Sequence, residues 1–354
     1  MSTSRRSRML PSAATGVKRK QPHPSPGVST RRSSSRSATG SNSMSTALVP
    51  STDNVSDTAF LEKASALPVA DSAFTTAADI LSRAYSATGD GFVVEPVSFA
   101  EYRSVADERD RRGSKARLFY LHDARLLIVT VPTIHHEMLH GQLYFIFTGM
   151  LWEAGLGDDW VGTHATTFRS ALGNTSTGEG DSGGRPKSAR RSNTEWPVLV
   201  MQVGWTQSLA SLRCKKDFWF RQSDHQVKIV ILVKAFPLGG SGDGGSKKRI
   251  LIENWQGQSR LQRPGATGTR AHAAATRDSV CLQIINIVWA GPMPYDEASM
   301  SVRQDPNNFN VTRGPLKLDF SKLFLRQPIP HTNEKDIIIS DSELQHYATV
   351  MWLP

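Results

Sequence analysis

Two β-rich apolar blocks, ARLFYLH (116–122) and RLLIVTV (125–131), flank Asp123-Ala124, and that pattern predicts a β-hairpin. Pro132 ends the second block. Beyond it, Leu139, Leu143, Ile146 and Met150 recur at helical spacing, while Tyr144, Phe147 and Leu151 cover another face. The pattern predicts one long helix from about Ile134 to Glu153, apolar all round and therefore central and buried. WPVLVMQVG (196–204) reads as a strand, with Val198, Val200 and Gln202 on one face and Leu199, Met201 and Val203 on the other. SLASLRCKKDFWF (208–220) follows as a helix with Ser208 as N-cap. VKIVILVKAF (227–236) is nearly all apolar, as expected of a strand covered on both faces.

Weaker patterns complete the reading. SFAEYRSVADERDRR (98–112) is an amphipathic helix, residues 58–86 hold one or two more, and HATTFRSAL (164–172) fits a strand. RILIENW (249–255) and VCLQIINIVWAG (280–291) are further strands. LKLDFSKLFL (316–325) and the helical SDSELQHYATVMW (340–352) read as core-covering elements. This order predicts an α/β, or α+β, fold in which helices flank a mixed sheet. The ordered part is a single domain over 59–330, with a C-terminal helical extension over 331–354.

Composition changes the picture at the ends and in the gaps. Residues 1–58 are rich in Ser, Thr, Arg and Pro, too poor in apolar surface to offset the entropy of ordering, and read as a disordered tail. Residues 174–194, 237–248 and 257–278 are rich in Gly, Ser and charge and read as low-complexity insertions. GGSGDGG (239–245) lacks the ending of a phosphate loop, and no cofactor fingerprint is present. The net charge is +10, from 42 basic and 32 acidic residues. Nine of the basic residues, and no acidic one, fall in residues 1–52, so the rest is close to neutral. The basic balance therefore belongs to the tail and gives no basic face to the folded part. Within the tail, VKRKQP (17–22) reads either as a nuclear-import or nucleic-acid-contacting cluster or as plain solvated charge. No apolar run approaches the length of a membrane span, and the N-terminus lacks the apolar block of a secretory signal. The two cysteines, Cys214 and Cys281, build neither a disulfide framework nor a zinc knuckle. Together these point to an intracellular protein, nuclear if the basic cluster is an import signal.

One short motif names a metal outright. His136-Glu137-Met138-Leu139-His140 matches H-E-x-x-H, which on a helix puts two His on one face for zinc and a Glu beside them to activate water. A catalytic zinc needs a third ligand, and the sequence offers none in a standard place: Leu143 stands where the continuing motif would have Gly, and Glu153 is at the end of the same helix. The alternative is a helix N-terminus in which Glu137 complements the dipole.

The run RLFYLHDARLLIVTVPTIHHEMLHGQLYFIF (117–147) has a second layout: strand, tight polar turn, strand, Pro, His, long apolar helix. It resembles the start of the putative restriction endonuclease family of the PD-(D/E)XK nuclease-like superfamily, in its divergent fungal relatives. GDSGGRP (180–186) resembles that family's segment with a metal-binding Asp, and residues 196–233 its strand, Ser-rich turn, helix and closing strand. The resemblance spans roughly residues 90–240. It implies a restriction-endonuclease-like core in which an Asp and a Glu hold Mg²⁺ and a Lys orients the attacking water. Carried over by position, the Asp is Asp181, the Glu position is Gln202, and the Lys is Lys216 or Lys215. Gln202 keeps a ligating oxygen but loses the charge, and the usual following Lys position is Gly204. The resemblance thus implies a pseudoenzyme: a degenerate nuclease-like domain with weak or absent Mg²⁺ binding, left as a DNA-binding or scaffold module. The alternative is an active Mg²⁺-dependent DNA endonuclease in which Glu179, Glu195 or Glu253 replaces the missing carboxylate. The third reading is the zinc peptidase built on His136 and His140.

Overall fold

Three sheets organise the chain in the computed structural model, which describes residues 68–164, 166–237, 248–259 and 277–352. The chain divides into residues 1–52 and 53–354, and everything described belongs to the second unit. The tail expected over 1–58, the loop at 238–247 and most of 257–278 lie outside the described residues. What is described is mixed α and β, with seven α-helices around the sheets.

Among the described residues, helix α1 (Ala77–Ser86) falls within the expected 58–86 helical stretch, of which residues 58–67 lie outside the described residues. After β1 (Gly91–Val94), α2 (Phe99–Arg112) begins at Ser98, whose hydroxyl takes the Glu101 amide while the Glu101 carboxylate takes the Ser98 amide. It stops at Gly113, whose φ of 62° needs the freedom of glycine. The expected hairpin is present: β2 (Arg117–Leu121) pairs antiparallel with β3 (Leu126–Thr130). With β5 (Thr167–Arg169) and β6 (Thr177–Glu179) they form a five-stranded antiparallel sheet, in the order β1-β3-β2-β6-β5.

Helix α3 (Ile134–Glu153) has the bounds its periodicity predicts, with Thr133 as N-cap. It is not buried all round. His136, Leu139, His140, Leu143, Phe147 and Leu151 face inward, but Ile134, Phe145 and Trp152 are exposed. Apolar residues on every side do not imply cover on every side; the sheet takes one face and nothing among the described residues covers the other.

The second sheet has seven strands, in the order β12-β11-β10-β9-β8-β7-β4. They are β4 (Trp160–Gly162), β7 (Ser182–Pro186), β8 (Leu199–Gly204), β9 (Ile229–Phe236), β10 (Arg249–Ser259), β11 (Arg277–Trp289) and β12 (Phe309–Thr312). Only β8 and β9 run parallel, so the sheet is mixed. A parallel pair needs a crossover, and α4 (Leu209–Gln222), capped by Ser208, supplies it. Residues 174–194, expected as an insertion, contain β6 and β7, which are buried throughout. Their glycines serve close packing: a Cβ on Gly178 would stand 2.6 Å from the Phe119 ring, and one on Gly183 would stand 2.8 Å from the Leu199 carbonyl oxygen.

After α5 (Met300–Arg303) and β12, β13 (Leu316–Leu318) pairs with β14 (Ile337–Ile339) around α6 (Phe320–Phe324). Helix α7 (Asp341–Met351) closes the chain, and its Tyr347 hydroxyl donates to the Leu139 carbonyl at 2.9 Å. Residues 331–354 thus carry a strand as well as a helix and share one core with α3. Across the layers, α1 and α2 cover one face of the five-stranded sheet. Helix α4 fills the space between its other face and the seven-stranded sheet, and α3 with α7 covers the far side.

Candidate functional site

The turn between β6 and β7 places Asp181 where the two sheets meet. Its amide donates to the Met201 carbonyl on β8 (3.2 Å), and its Oδ2 accepts from the Val203 amide (2.8 Å). Its Oδ1 accepts from Arg117 Nη1 on β2 (3.0 Å) and lies 3.2 Å from His136 Nε2 on α3. The other ring nitrogen of His136, Nδ1, is 3.1 Å from Asp90 Oδ2. Asp90 precedes β1 and accepts from the amides of Trp205, Thr206 and Gln207 and from the Thr206 hydroxyl, all in the Ser-rich turn before α4.

His136 is therefore a buried imidazole between two carboxylates. Burial alone would lower its pKa, but Asp181 and Asp90 outweigh that and raise it to about 9. Burial would likewise raise both carboxyls, yet His136 leads the interactions that hold Asp90 and Asp181 far below the ordinary carboxylate range. Arg117 Nη1 also stands 3.0 Å from His136 Nε2. With both ring nitrogens donating to carboxylates, this is a contact of two cations that share Asp181 Oδ1, not a hydrogen bond. The guanidinium continues outward: Nη2 donates to Glu137 Oε1 at 2.7 Å. Glu137 Oε2 is 3.2 Å from His140 Nε2, whose other nitrogen is 2.9 Å from Ser182 Oγ.

The expected site residues divide. Lys215 reaches the centre: fully buried, it donates to Thr130 Oγ1 (2.8 Å) and Gln207 Oε1 (3.0 Å). Burial pushes its pKa down, against the pull of Asp181 and Asp90. Lys216 does not reach the centre. On the helix it points elsewhere, donating to Asp217 (2.6 Å) and Ser279 (3.1 Å) with its ammonium 4.1 Å from the Trp255 ring centre. Gln202 is buried beside Asp181 in β8, and its Nε2 donates to the Glu179 backbone carbonyl (3.0 Å). Its Oε1 is buried without a partner. Val198, expected on the Gln202 face, precedes the strand and packs with the opposite core, while Val200 keeps to the Gln202 side.

The donor set does not suit Mg²⁺. A hard divalent ion needs free carboxylate oxygens. Both oxygens of Asp181 are engaged, Gln202 brings no charge, and Arg117, His136 and Lys215 already surround the position with cations. The replacement carboxylates are engaged elsewhere. Glu179 takes Arg109, Thr167 and the Leu118 amide; Glu195 takes the Ser192 amide; Glu253 takes Arg213 and the Trp255 indole. For zinc the geometry is closer. Ligand atoms of His136, Glu137 and His140 all lie within 4.8 Å of one another. The Arg117 guanidinium, however, contacts both His136 and Glu137.

A cleft of about 530 Å³ opens over this network, lined in part by Arg109, Lys115, Arg117, Glu137 and Glu179. Asp181, Gln202 and Lys215 are not among its lining residues. Asp90 and Arg117, essential to the arrangement, escaped the sequence reading. Asp90 sits in ATGDGF, which reads as an ordinary turn, and Arg117 is one more charge at a strand start. The one available signal was alternation: Arg117, Phe119 and Leu121 share a face of β2, so the strand must carry a cation where its apolar neighbour turns inward.

Among the described residues, no helix is long and apolar enough to cross a membrane. No family model matches the chain, and no curated protein matches it.

Proposed function

We propose that this is a nuclease-like domain whose metal-dependent cutting site has given way to an internally neutralised ion network, so that it does not cleave nucleic acid and acts as a binding or scaffold module. The carrying observation is the state of Asp181. The carboxylate that would hold Mg²⁺ is committed to Arg117, His136 and the Val203 amide, beside an uncharged Gln202. Displacing a buried cation from its carboxylate leaves that cation unpaired, at a cost of several kcal/mol. Asp181, Gln202 and Lys215 are buried and do not line the neighbouring cleft.

A side-by-side cleavage assay tests the reading. Wild type, Gln202→Glu and Asp181→Ala are incubated with supercoiled and single-stranded DNA in Mg²⁺ or Mn²⁺. Wild type is expected to cut no more than Asp181→Ala. Cutting by Gln202→Glu alone would mark a site that one substitution can reassemble. Wild-type nicking that disappears in Asp181→Ala overturns the proposal and makes Gln202 a working ligand.

A zinc site is the second reading, favoured by the close approach of His136, Glu137 and His140. It requires Arg117 to leave the space between them. Metal analysis of protein purified without added zinc decides it: near-stoichiometric zinc that falls in His140→Ala supports it, and a content near zero removes it.

A further inference from the structure

Gln207 connects the buried centre to a different cleft. Its Oε1 accepts from Lys215 Nζ at 3.0 Å, and because an ammonium only donates, the amide is fixed with Nε2 on the opposite side. Gln207 also lines a cleft of about 570 Å³ between β1 and the first turn of α4, together with Asp71, Gly91, Phe92, Ala210 and Ser211. That volume is in the range of small-molecule sites, roughly 300–1,000 Å³.

Several polar groups of this cleft are unmet. Gln207 Nε2 is buried without a hydrogen-bond partner, and so is Ser211 Oγ; the two residues are 4% and 1% exposed. An unmet buried polar group costs about 1–3 kcal/mol, so two in one cleft call for an explanation. They stand at the N-terminus of a 14-residue helix. Ser208 caps it by accepting from the Ser211 amide (3.2 Å), but the amides of Leu209 and Ala210 have no partner among the described residues. Gly91 lets β1 pack closely here: a Cβ there would stand 3.1 Å from Gln207 Nε2 and 2.8 Å from the Val129 carbonyl oxygen, so a larger residue would crowd the amide.

We infer that this cleft binds a phosphoryl group, free or carried by a mononucleotide. The unmet groups of the lining residues are the Ala210 backbone amide, a carboxamide N–H and a hydroxyl. A phosphoryl group offers several acceptor oxygens at once, and the positive end of a helix favours its charge. Two acidic residues are near. The Asp71 carboxylate accepts from the Val93 amide (2.7 Å), and Asp90 is enclosed by its own donors. Lys215, one helical turn beyond Ser211, does not line the cleft and acts on it only by fixing the orientation of the Gln207 amide. A phosphoryl group fills only part of the volume, which leaves room for a nucleoside.

Calorimetric titration of the full chain with inorganic phosphate and with adenosine monophosphate, at constant ionic strength, tests this. Saturable binding at one site is expected, weakened at least roughly tenfold in Ala210→Glu and in Gln207→Met. Glu in the first turn of a helix is favourable to the helix, so Ala210→Glu fills the anion position without unfolding the chain; a melting curve checks that. Tighter binding of the nucleotide than of phosphate shows that the nucleoside is also held, while equal affinity assigns the site to the phosphoryl group alone. No saturable heat from either probe up to about 10 mM, or binding unchanged in Ala210→Glu, overturns the inference. The outcome is separable from the cleavage assay, because it is read as binding heat and Ala210→Glu alters no side chain of the Asp181 network.

Discussion

The two faces of the seven-stranded sheet are built on different principles. One face presents Leu199, Met201, Val203, Ile229, Ile231, Val233, Ile250, Ile252, Ile285 and Ile287 to the apolar sides of α3 and α7. Its cohesion is burial and packing, which do not depend on direction. On the face toward α4, Val200, Val230, Leu232 and Trp255 mix with buried Gln202 and Glu253, against which α4 packs its own buried Arg213 and Lys215. There each charged side chain is held by particular partners, and the loss of one partner is felt by the other. Against that face, Arg213 and Lys215 are two positions apart on α4 yet differ again. Arg213 is clasped through two nitrogens by Glu253, while Lys215 donates to neutral oxygens of Thr130 and Gln207. The Arg213 pair reads as architecture, and Lys215 as part of the Asp181 centre.

The sharpest way to break this comparison is Glu253→Ala, which removes the carboxylate clasping Arg213. Urea unfolding is expected to show a loss of about 3–5 kcal/mol, with most of it recovered in the double variant Glu253→Leu/Arg213→Met. A loss below about 1 kcal/mol would mean that the polar face is as forgiving as its opposite. On the apolar face, Leu143→Ala should cost about 2–5 kcal/mol through lost burial and the cavity left behind. Its pH dependence should match that of wild type, because no titrating group is involved.

The pH dependence itself separates the faces. His136 has a folded pKa raised to about 9, so its stabilisation is complete below its unfolded value of about 6.5 and is lost as pH rises toward 9. Asp90 and Asp181 are depressed, so theirs is present above the ordinary carboxylate range and is lost as pH falls below about 4. Unfolding free energies at pH 6 and pH 9 should therefore fall by about 3 kcal/mol more in wild type than in His136→Gln. Equal slopes would show that the imidazole is not the group responsible. The smallest effect belongs to Gln202→Met, of similar volume. It gives up one hydrogen bond and removes a partnerless oxygen, for a net change within about 1 kcal/mol by the same unfolding measurement.

The apolar face was almost fully legible in the sequence. Period placed the long helix and the strands from Leu199 onward, because each is decided within a few neighbouring residues. The polar face was not. Asp181 and Lys215 could be singled out, but their partners Asp90, Arg117 and His136 are fixed by contacts that no local pattern records. Glycine misled most at 174–194. The same residue type marks a loose loop and a strand squeezed against an aromatic ring, and only the neighbour distinguishes them. Lys215 and Lys216 differ by one helical step of about 100°, enough to send one to the centre and the other to Ser279.

The Asp181 network draws on Asp90, Arg117, His136, Asp181 and the turn at 205–207, so its members span more than a hundred positions of the chain. Contacts of that separation are made only after long loops have closed, an entropic debt that precedes any gain. The β2–β3 hairpin closes through neighbouring residues alone, whereas the charged centre needs segments drawn from across the domain. Its ions then act as a completion check: a chain cut anywhere between Asp90 and Gln207 has no route to the assembled centre except by binding its missing half.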